Sequence, residues 1–175
     1  MRERYGKPVV FDEIAYEGNI DNGWGNISGE EMTRRFWEAA LRGTYPGHGE
    51  TYANEDDILW WSHGGKLHGT SPERILFLKK IIEETPGHGL KFIPESWDAV
   101  TAVPETVLYT GQYKIIYFSF MQPSFRILDL PKDKQYRIEI IDTWNMTVTD
   151  GGTHSGWTKI QLSGRPYMAL RLTLA

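Results

Sequence analysis

The 175-residue chain contains no cysteine. Disulfides, thiolate metal centres and cysteine nucleophiles are therefore excluded. Charge of one sign is not in excess either. Nineteen Lys and Arg stand against 23 Asp and Glu, a net charge of -4, and no five like charges run together. Such a chain has little to attract a phosphate backbone, so nucleic acid is not an expected partner. No apolar run approaches the roughly 20 residues that cross a bilayer, so no membrane partner is expected. Met1-Arg2-Glu3-Arg4-Tyr5 leads into no apolar stretch. No signal peptide is visible, and a cytoplasmic location is the expectation. Internal repeats and low-complexity tracts are also lacking.

Aromatic residues, by contrast, are plentiful: seven Trp and nine Tyr. Their rings bury much area with few rotatable bonds, which suits both packed cores and platforms for sugar rings. With 40% hydrophobic and 24% charged residues, the composition is that of a globular chain.

The first half alternates strand and helix signals. Residues 8–14 open with a continuous apolar run and end in Asp12 and Glu13, the pattern of a parallel strand buried on both faces. Residues 18–27 are a loop rich in turn formers. A helix follows, with Ser28 and Glu31 as a capping box, Met32, Phe36, Ala39 and Ala40 at helical spacing, and Gly43 as its stop. Residues 44–52 read as a brief glycine-containing strand, and residues 57–62 as a further apolar patch. A second helix is capped by Ser71, with Pro72 in its first turn, an apolar face of Ile75, Leu78, Ile81 and Ile82, and Pro86-Gly87 as its end. Strand–helix–strand–helix is the repeating unit of α/β folds.

From about residue 111 only strand signals remain. Tyr136, Ile138 and Ile140 alternate with polar residues, and Met168, Leu170, Leu172 and Leu174 do the same. Period-two alternation between turns predicts an antiparallel sheet with one wet face, in a small β-sandwich of five or six strands. The expected organisation is an α/β segment over 1–90, a connecting segment over 91–110 and an all-β sandwich over 111–175. Two strand–helix units cannot close a barrel, which needs eight, and would leave an open edge. Either the first half packs on the sandwich, or the chain forms a homo-oligomer, or upstream sequence completes it.

Several strings in the first half carry a resemblance. They are Lys7-Pro8-Val9-Val10-Phe11-Asp12-Glu13, Tyr16-Glu17-Gly18-Asn19, Gly23-Trp24-Gly25-Asn26, Arg35-Phe36-Trp37-Glu38, Gly47-His48-Gly49-Glu50-Thr51-Tyr52, Leu59-Trp60-Trp61-Ser62 and Leu67-His68-Gly69-Thr70-Ser71-Pro72. In this order they resemble the end of an apiosidase-like glycoside hydrolase. The resemblance implies a partial (β/α) barrel segment, the seventh and eighth strands with their helices. It implies that residues 111–175 are the β-sandwich that follows the barrel in such proteins. It also implies that the acid/base carboxylate lies on a fourth strand that this chain does not contain.

Glycoside hydrolysis needs two carboxyl groups, one to protonate the leaving oxygen and one to attack the sugar or activate water. From its surroundings alone, Glu13 reads as a buried, paired carboxylate; the resemblance makes it the nucleophile position. Asp12 alternates to the other face of the strand, where a structural hydrogen bond is expected. Glu17 either binds a sugar hydroxyl or is solvated. His48 and Glu50, two apart on a strand, share a face and could bind sugar hydroxyls or orient Glu13. They are too few to hold a metal, so neither a metal nor a cofactor is expected. His63, His68 and His88 read as surface residues. Trp24, Trp60 and Trp61 follow strands, where they would stack on sugar or pack on helices. Trp97, Trp144 and Trp157 read as core.

Three functions compete at this point. One is the C-terminal part of a glycosidase, inactive alone but acting on polysaccharide in its parent. The second is a carbohydrate-binding sandwich, and the third a structural spacer.

Overall fold

A computed structural model of the chain describes residues 2–55, 58–59 and 65–175. A short α1 (Arg2–Tyr5) precedes β1 (Val10–Phe11) and β2 (Glu17–Gly18). Then come α2 (Gly29–Leu41), β3 (Tyr45–Pro46), β4 (Glu50–Ala53), β5 (Ile58–Leu59) and α3 (Ser71–Glu83). The remainder is β6 (Leu90–Ile93), β7 (Val100–Pro104), β8 (Tyr113–Tyr117), β9 (Phe125–Asp129), β10 (Tyr136–Asp142), β11 (Thr147–His154), β12 (Trp157–Gln161) and β13 (Met168–Leu174).

Local chemistry sets both long helices. The Ser28 hydroxyl accepts from the Glu31 amide at 3.2 Å, so the expected cap forms, but only half of the box. The Glu31 carboxylate turns instead to Arg34 and Arg35. Met32, Phe36, Trp37 and Leu41 form the buried stripe of α2, while Ala39 and Ala40 are only half-buried. The chain leaves this helix through Gly43 at φ +72, a conformation that glycine adopts without steric cost. Leu78 and Ile81 are the buried residues of the apolar face of α3, with Ile75 and Ile82 packed beside them.

In the first half, β1 pairs parallel with β3, and β2 parallel with β4. A helix returns the chain between each pair, as parallel strands require. Burial on both faces does not hold for the first strand. β1 is two residues long, and Val10 and Phe11 are 58% and 46% exposed. Its one partner among the described residues is β3, and Tyr45 on that strand is itself exposed.

The second half is antiparallel. One sheet of six strands runs in the order β11-β10-β13-β8-β7-β6, and β9 pairs with β12 in a separate ribbon. Residues 91–110 therefore do not act as a connecting segment. Phe92 and Val100 to Ala102 carry the strand pattern, and β6 and β7 extend the sheet beyond β8. Along β8, β10 and β13 alternation feeds two cores, while β11 and the outer side of the ribbon remain open to solvent. Tyr113, Ile115, Tyr117, Ile141 and Ala169 pack against α2 and α3; Ile116, Ile138, Leu170 and Leu172 pack against Leu128 and Ile160 of the ribbon. On the helix side the Trp37 and Tyr117 rings lie 5.3 Å apart. Arg171 on β13 bonds Glu139 of β10 at 2.6 Å and also bonds Glu84, at the end of α3. This ion pair joins the sheet to the helix.

Two of the three Trp expected in the core lie outside it. Trp97 is 89% exposed in the turn between β6 and β7, and Trp157 is 67% exposed on the outer side of the ribbon, where odd-numbered residues of β12 point. Trp144 is half-buried under the Arg74 guanidinium, 3.9 Å from its ring centre. No helix among the described residues is long and apolar enough to cross a membrane.

Ile115, fully buried between the sheet and the helices, gives a direct measure of that core. Ile115→Ala is expected to destabilise the chain by about 2–5 kcal/mol, the usual range for emptying a buried aliphatic site. Denaturant unfolding followed by tryptophan fluorescence reads the change.

Candidate functional site

Two groups of side chains follow β1. The outer group surrounds Glu13, an exposed residue just past the strand. Glu13, Ala15, Tyr16 and Trp24 line a cleft of about 380 Å³. The backbone reverses at Ala15, whose φ of +71 is rare for a residue with a side chain. Such a conformation costs about 1–3 kcal/mol and persists only where neighbours hold it. Here the Tyr16 amide donates to the Trp24 carbonyl at 2.7 Å, and Arg35 Nη1 donates to the Ile14 carbonyl at 2.6 Å. Arg35 is in turn held by Glu31 Oε1 at 2.7 Å. The Tyr16 ring stands edge-on to Trp24, with centroids 5.8 Å apart. Burial, then a hydrogen bond to Glu13 and the charge of its carboxylate, push the Tyr16 phenol up. The phenol therefore stays protonated and serves Glu13 as a donor.

The inner group is built on Glu17 and Glu50, neighbours across the parallel pair β2–β4. Both are buried, at 2% and 3% exposure. Glu17 Oε1 accepts from the Thr70 amide at 2.7 Å, the Thr70 hydroxyl at 3.1 Å and the Tyr52 hydroxyl at 3.3 Å. Its Oε2 accepts from the Ser71 amide at 3.0 Å. Thr70 takes the N-cap position of α3 and gives no side-chain cap, so the expected capping by Ser71 is replaced by a carboxylate from β2. A negative charge there also meets the positive end of the helix dipole. Burial works against the Glu17 charge, but bonds from Ser71 and Thr70 outweigh it and lower the pKa.

Glu50 Oε2 accepts from the amides of His68 and Gly69 at 2.7 and 2.9 Å. His48 Nε2 lies 3.8 Å from Glu50 Oε1 and 3.1 Å from the Ser71 hydroxyl. Burial lowers the His48 pKa, against the pull of Glu50 and Glu17, so the ring is neutral near pH 7. Burial and then the charges of Glu17 and Glu50 push the Tyr52 phenol up to about 12.

The expected site residues thus divide. Glu13 and Trp24, which is 42% exposed, share the outer cleft. His48 and Glu50 do share a side of the chain. Glu17 and Glu50 are not solvated: the protein covers both, and backbone amides take Glu50 Oε2 and, with hydroxyls, both oxygens of Glu17. Trp60, Trp61 and His63 lie outside the described residues. Tyr16, Tyr52 and Ser71 join the site, although sequence placed Ser71 only as a helix cap and gave the two tyrosines no role. Tyr16 reaches Glu13 only because the chain reverses at Ala15, and an alanine gives no signal for that.

Residues 97–173 match a family described as "Domain of unknown function (DUF5605)". None of the curated proteins matches the chain in sequence. Among solved structures, one described as a "putative glycoside hydrolase" from Bacteroides vulgatus is similar over 99% of this chain, with 31% identity and a TM-score of 0.84. A structure described as "Glycoside hydrolase" and a family 5 glycoside hydrolase from Bacteroides vulgatus share the fold at 13% and 14% identity, each with a TM-score of 0.66 over 95% of this chain. The chain spans 37%, 42% and 41% of the length of these three proteins.

Glu31 offers a test of how the loop after Glu13 is held. Hydrogen bonds from Arg34, opposed by burial and aided by Arg35, bring its pKa from 4.5 to about 2. A depressed folded-state pKa contributes stability that is present above the unfolded value and lost as pH falls through the folded one. Glu31→Gln is therefore expected to flatten the loss of stability between about pH 4.5 and 2, measured by thermal unfolding across that range. The chain is a domain related to glycoside hydrolases in structure.

Proposed function

We propose that the chain is the C-terminal part of a barrel-type glycoside hydrolase. In this reading it supplies the seventh and eighth strands with their helices and a β-sandwich, and Glu13 is the nucleophile-side carboxylate acting on glycosidic bonds of a polysaccharide. The observation that carries the reading is Glu13 itself, an exposed carboxylate at the C-terminal end of a parallel strand, in a cleft with a tyrosine and a partly exposed tryptophan. Barrel enzymes keep their chemistry at that end of their strands.

The bare faces of Val10, Phe11 and Tyr45 support it too, since adjoining strands of a barrel would cover them. A partner carboxyl is needed at roughly 5 Å for retention or 6.5–9.5 Å for inversion. Among the described residues near Glu13, Glu17 and Glu50 are buried and hydrogen-bonded. In this reading, as the resemblance implies, the acid/base belongs to a part of the parent protein outside this chain.

In the full parent protein, Glu13→Gln is expected to lower the hydrolysis of its polysaccharide by about 100- to 10,000-fold, the span that a positioned catalytic carboxyl typically contributes. Turnover is read by released reducing ends. A variant as active as the parent would remove Glu13 from the mechanism. The 175-residue chain by itself is expected to release none.

A second reading, a carbohydrate-binding module, has an observation of its own. Phe125, Ile127 and Trp157 are exposed on the outer side of the β9–β12 ribbon, and Lys159 Nζ sits 4.2 Å from the Phe125 ring centre. Such a strip presents apolar faces to sugar rings. Oligosaccharides titrated into the chain should then shift its tryptophan fluorescence, and Trp157→Ala should abolish the shift while changing stability by no more than about 0.5 kcal/mol. No shift with any sugar would leave the ribbon as a structural cover.

A further inference from the structure

Two buried carboxylates side by side need a compensating positive charge. Taking one such group out of water costs several kcal/mol even after relaxation, and a like charge beside it adds to that cost. Glu17 and Glu50 lie in this situation. Among the described residues, neither forms an ion pair with a lysine or an arginine. Backbone amides, hydroxyls and the start of α3 supply dipoles but no full charge. The His48 ring reaches this pair, with Nε2 3.8 Å from Glu50 Oε1.

The hydrogen bonding is also incomplete. Glu50 Oε1 is fully buried and has no partner, although Oε2 of the same carboxylate has two. A buried oxygen left unpaired is rare and costly. Around it, one ligand atom each from Glu17, His48 and Glu50 lie within 4.8 Å of one another. Gly69 explains how these oxygens come together. A Cβ there would stand 2.4 Å from Glu17 Oε2 and 2.7 Å from Glu50 Oε1, so both oxygens converge on the same bare side of one glycine. No L side chain at residue 69 fits beside them.

We propose that Glu17, His48 and Glu50 form a binding site for a divalent transition-metal cation, with Zn²⁺ as its best match. One neutral imidazole and two carboxylates are a donor set of that class, and three protein ligands leave a fourth position for water. Tetrahedral ligands about 2.1 Å from zinc stand about 3.4 Å apart. His48 Nε2 and Glu50 Oε1, at 3.8 Å, are already near that spacing. The Ser71 hydroxyl beside His48 and the amides on Glu50 Oε2 then serve to orient the ligands. The ion would balance the buried charge, occupy Glu50 Oε1 and tie β2 and β4 to the start of α3. The expectation of too few ligands counted His48 and Glu50 alone; the fold supplies Glu17 as the third.

The site is independent of any glycosidase role, and its test reads no activity. The chain without a histidine tag is titrated with Zn²⁺ in a calorimeter, and its thermal unfolding is followed with and without the metal. The expected result is one ion bound per chain with a rise in melting temperature. In the variant Glu50→Gln, the side-chain carbonyl still accepts from His68 and Gly69, which preserves the fold. This variant and His48→Gln should each weaken binding by at least roughly 10- to 100-fold, since residues one shell further out already count for that much. His88→Gln, remote in sequence from the three ligands, should leave it unchanged. Absence of binding by the folded wild-type chain, or binding that survives both ligand variants, would overturn the proposal.

Discussion

Glu17 ties together segments that are far apart in sequence. It lies on β2, yet its carboxylate accepts the first amides of α3, more than 50 residues further on. A helix start leaves amide hydrogens that need acceptors, and a buried one finds them only in the protein. Because Glu17 meets that need, the start of α3 is fixed against the parallel pair β2–β4. The neighbouring amides of His68 and Gly69 are thereby brought to Glu50. Without this contact, neither carboxylate would tolerate its burial and the loop before α3 would lose its anchor. Glu17 is thus a structural acid, and the chemistry suggested for this region rests on Glu13, four residues earlier.

The rest of the molecule follows from a sheet that is covered twice. Alternation along β8, β10 and β13 sends one set of residues to α2 and α3 and the other to the β9–β12 ribbon. The helices that flank the candidate site are therefore held from behind by the sheet. Glu38 of α2 accepts from the Ser119 hydroxyl, and Arg171 reaches Glu84 at the end of α3. These polar contacts add direction to an apolar interface that would otherwise allow sliding. The two halves of the sequence thus share one core on the helix side, where Trp37 meets Tyr117. The similarity to a single solved structure over 99% of the chain agrees with that continuity.

Much of this was legible from residue order. The Ser28 cap, the Gly43 stop, the Pro72 start and the Pro86-Gly87 end all mark helix boundaries by local backbone chemistry. Alternation marked the strands of the second half for the same reason. Long-range geometry was not legible. The alternating strands gave no sign that both faces of their sheet are covered, because half-polar residues such as Arg171 and Glu139 also satisfy one another when buried. The sequence between residues 91 and 110 is interrupted by Pro94 and a polar turn, which hides two short strands.

At the candidate site the division is similar. Sequence by itself determined that Glu13 follows an apolar segment and, from the two-residue period of extended chain, that His48 and Glu50 leave the chain on one side, although the strand itself begins only at Glu50. Only the tertiary structure decided that Tyr16 turns back onto Glu13, that Glu17 and Glu50 are buried as neighbours, and that Gly69 lets their oxygens converge. Periodicity fixes which way a side chain leaves its own segment. What Glu17 and Glu50 meet there is set by segments more than 15 residues away, and only packing brings those together.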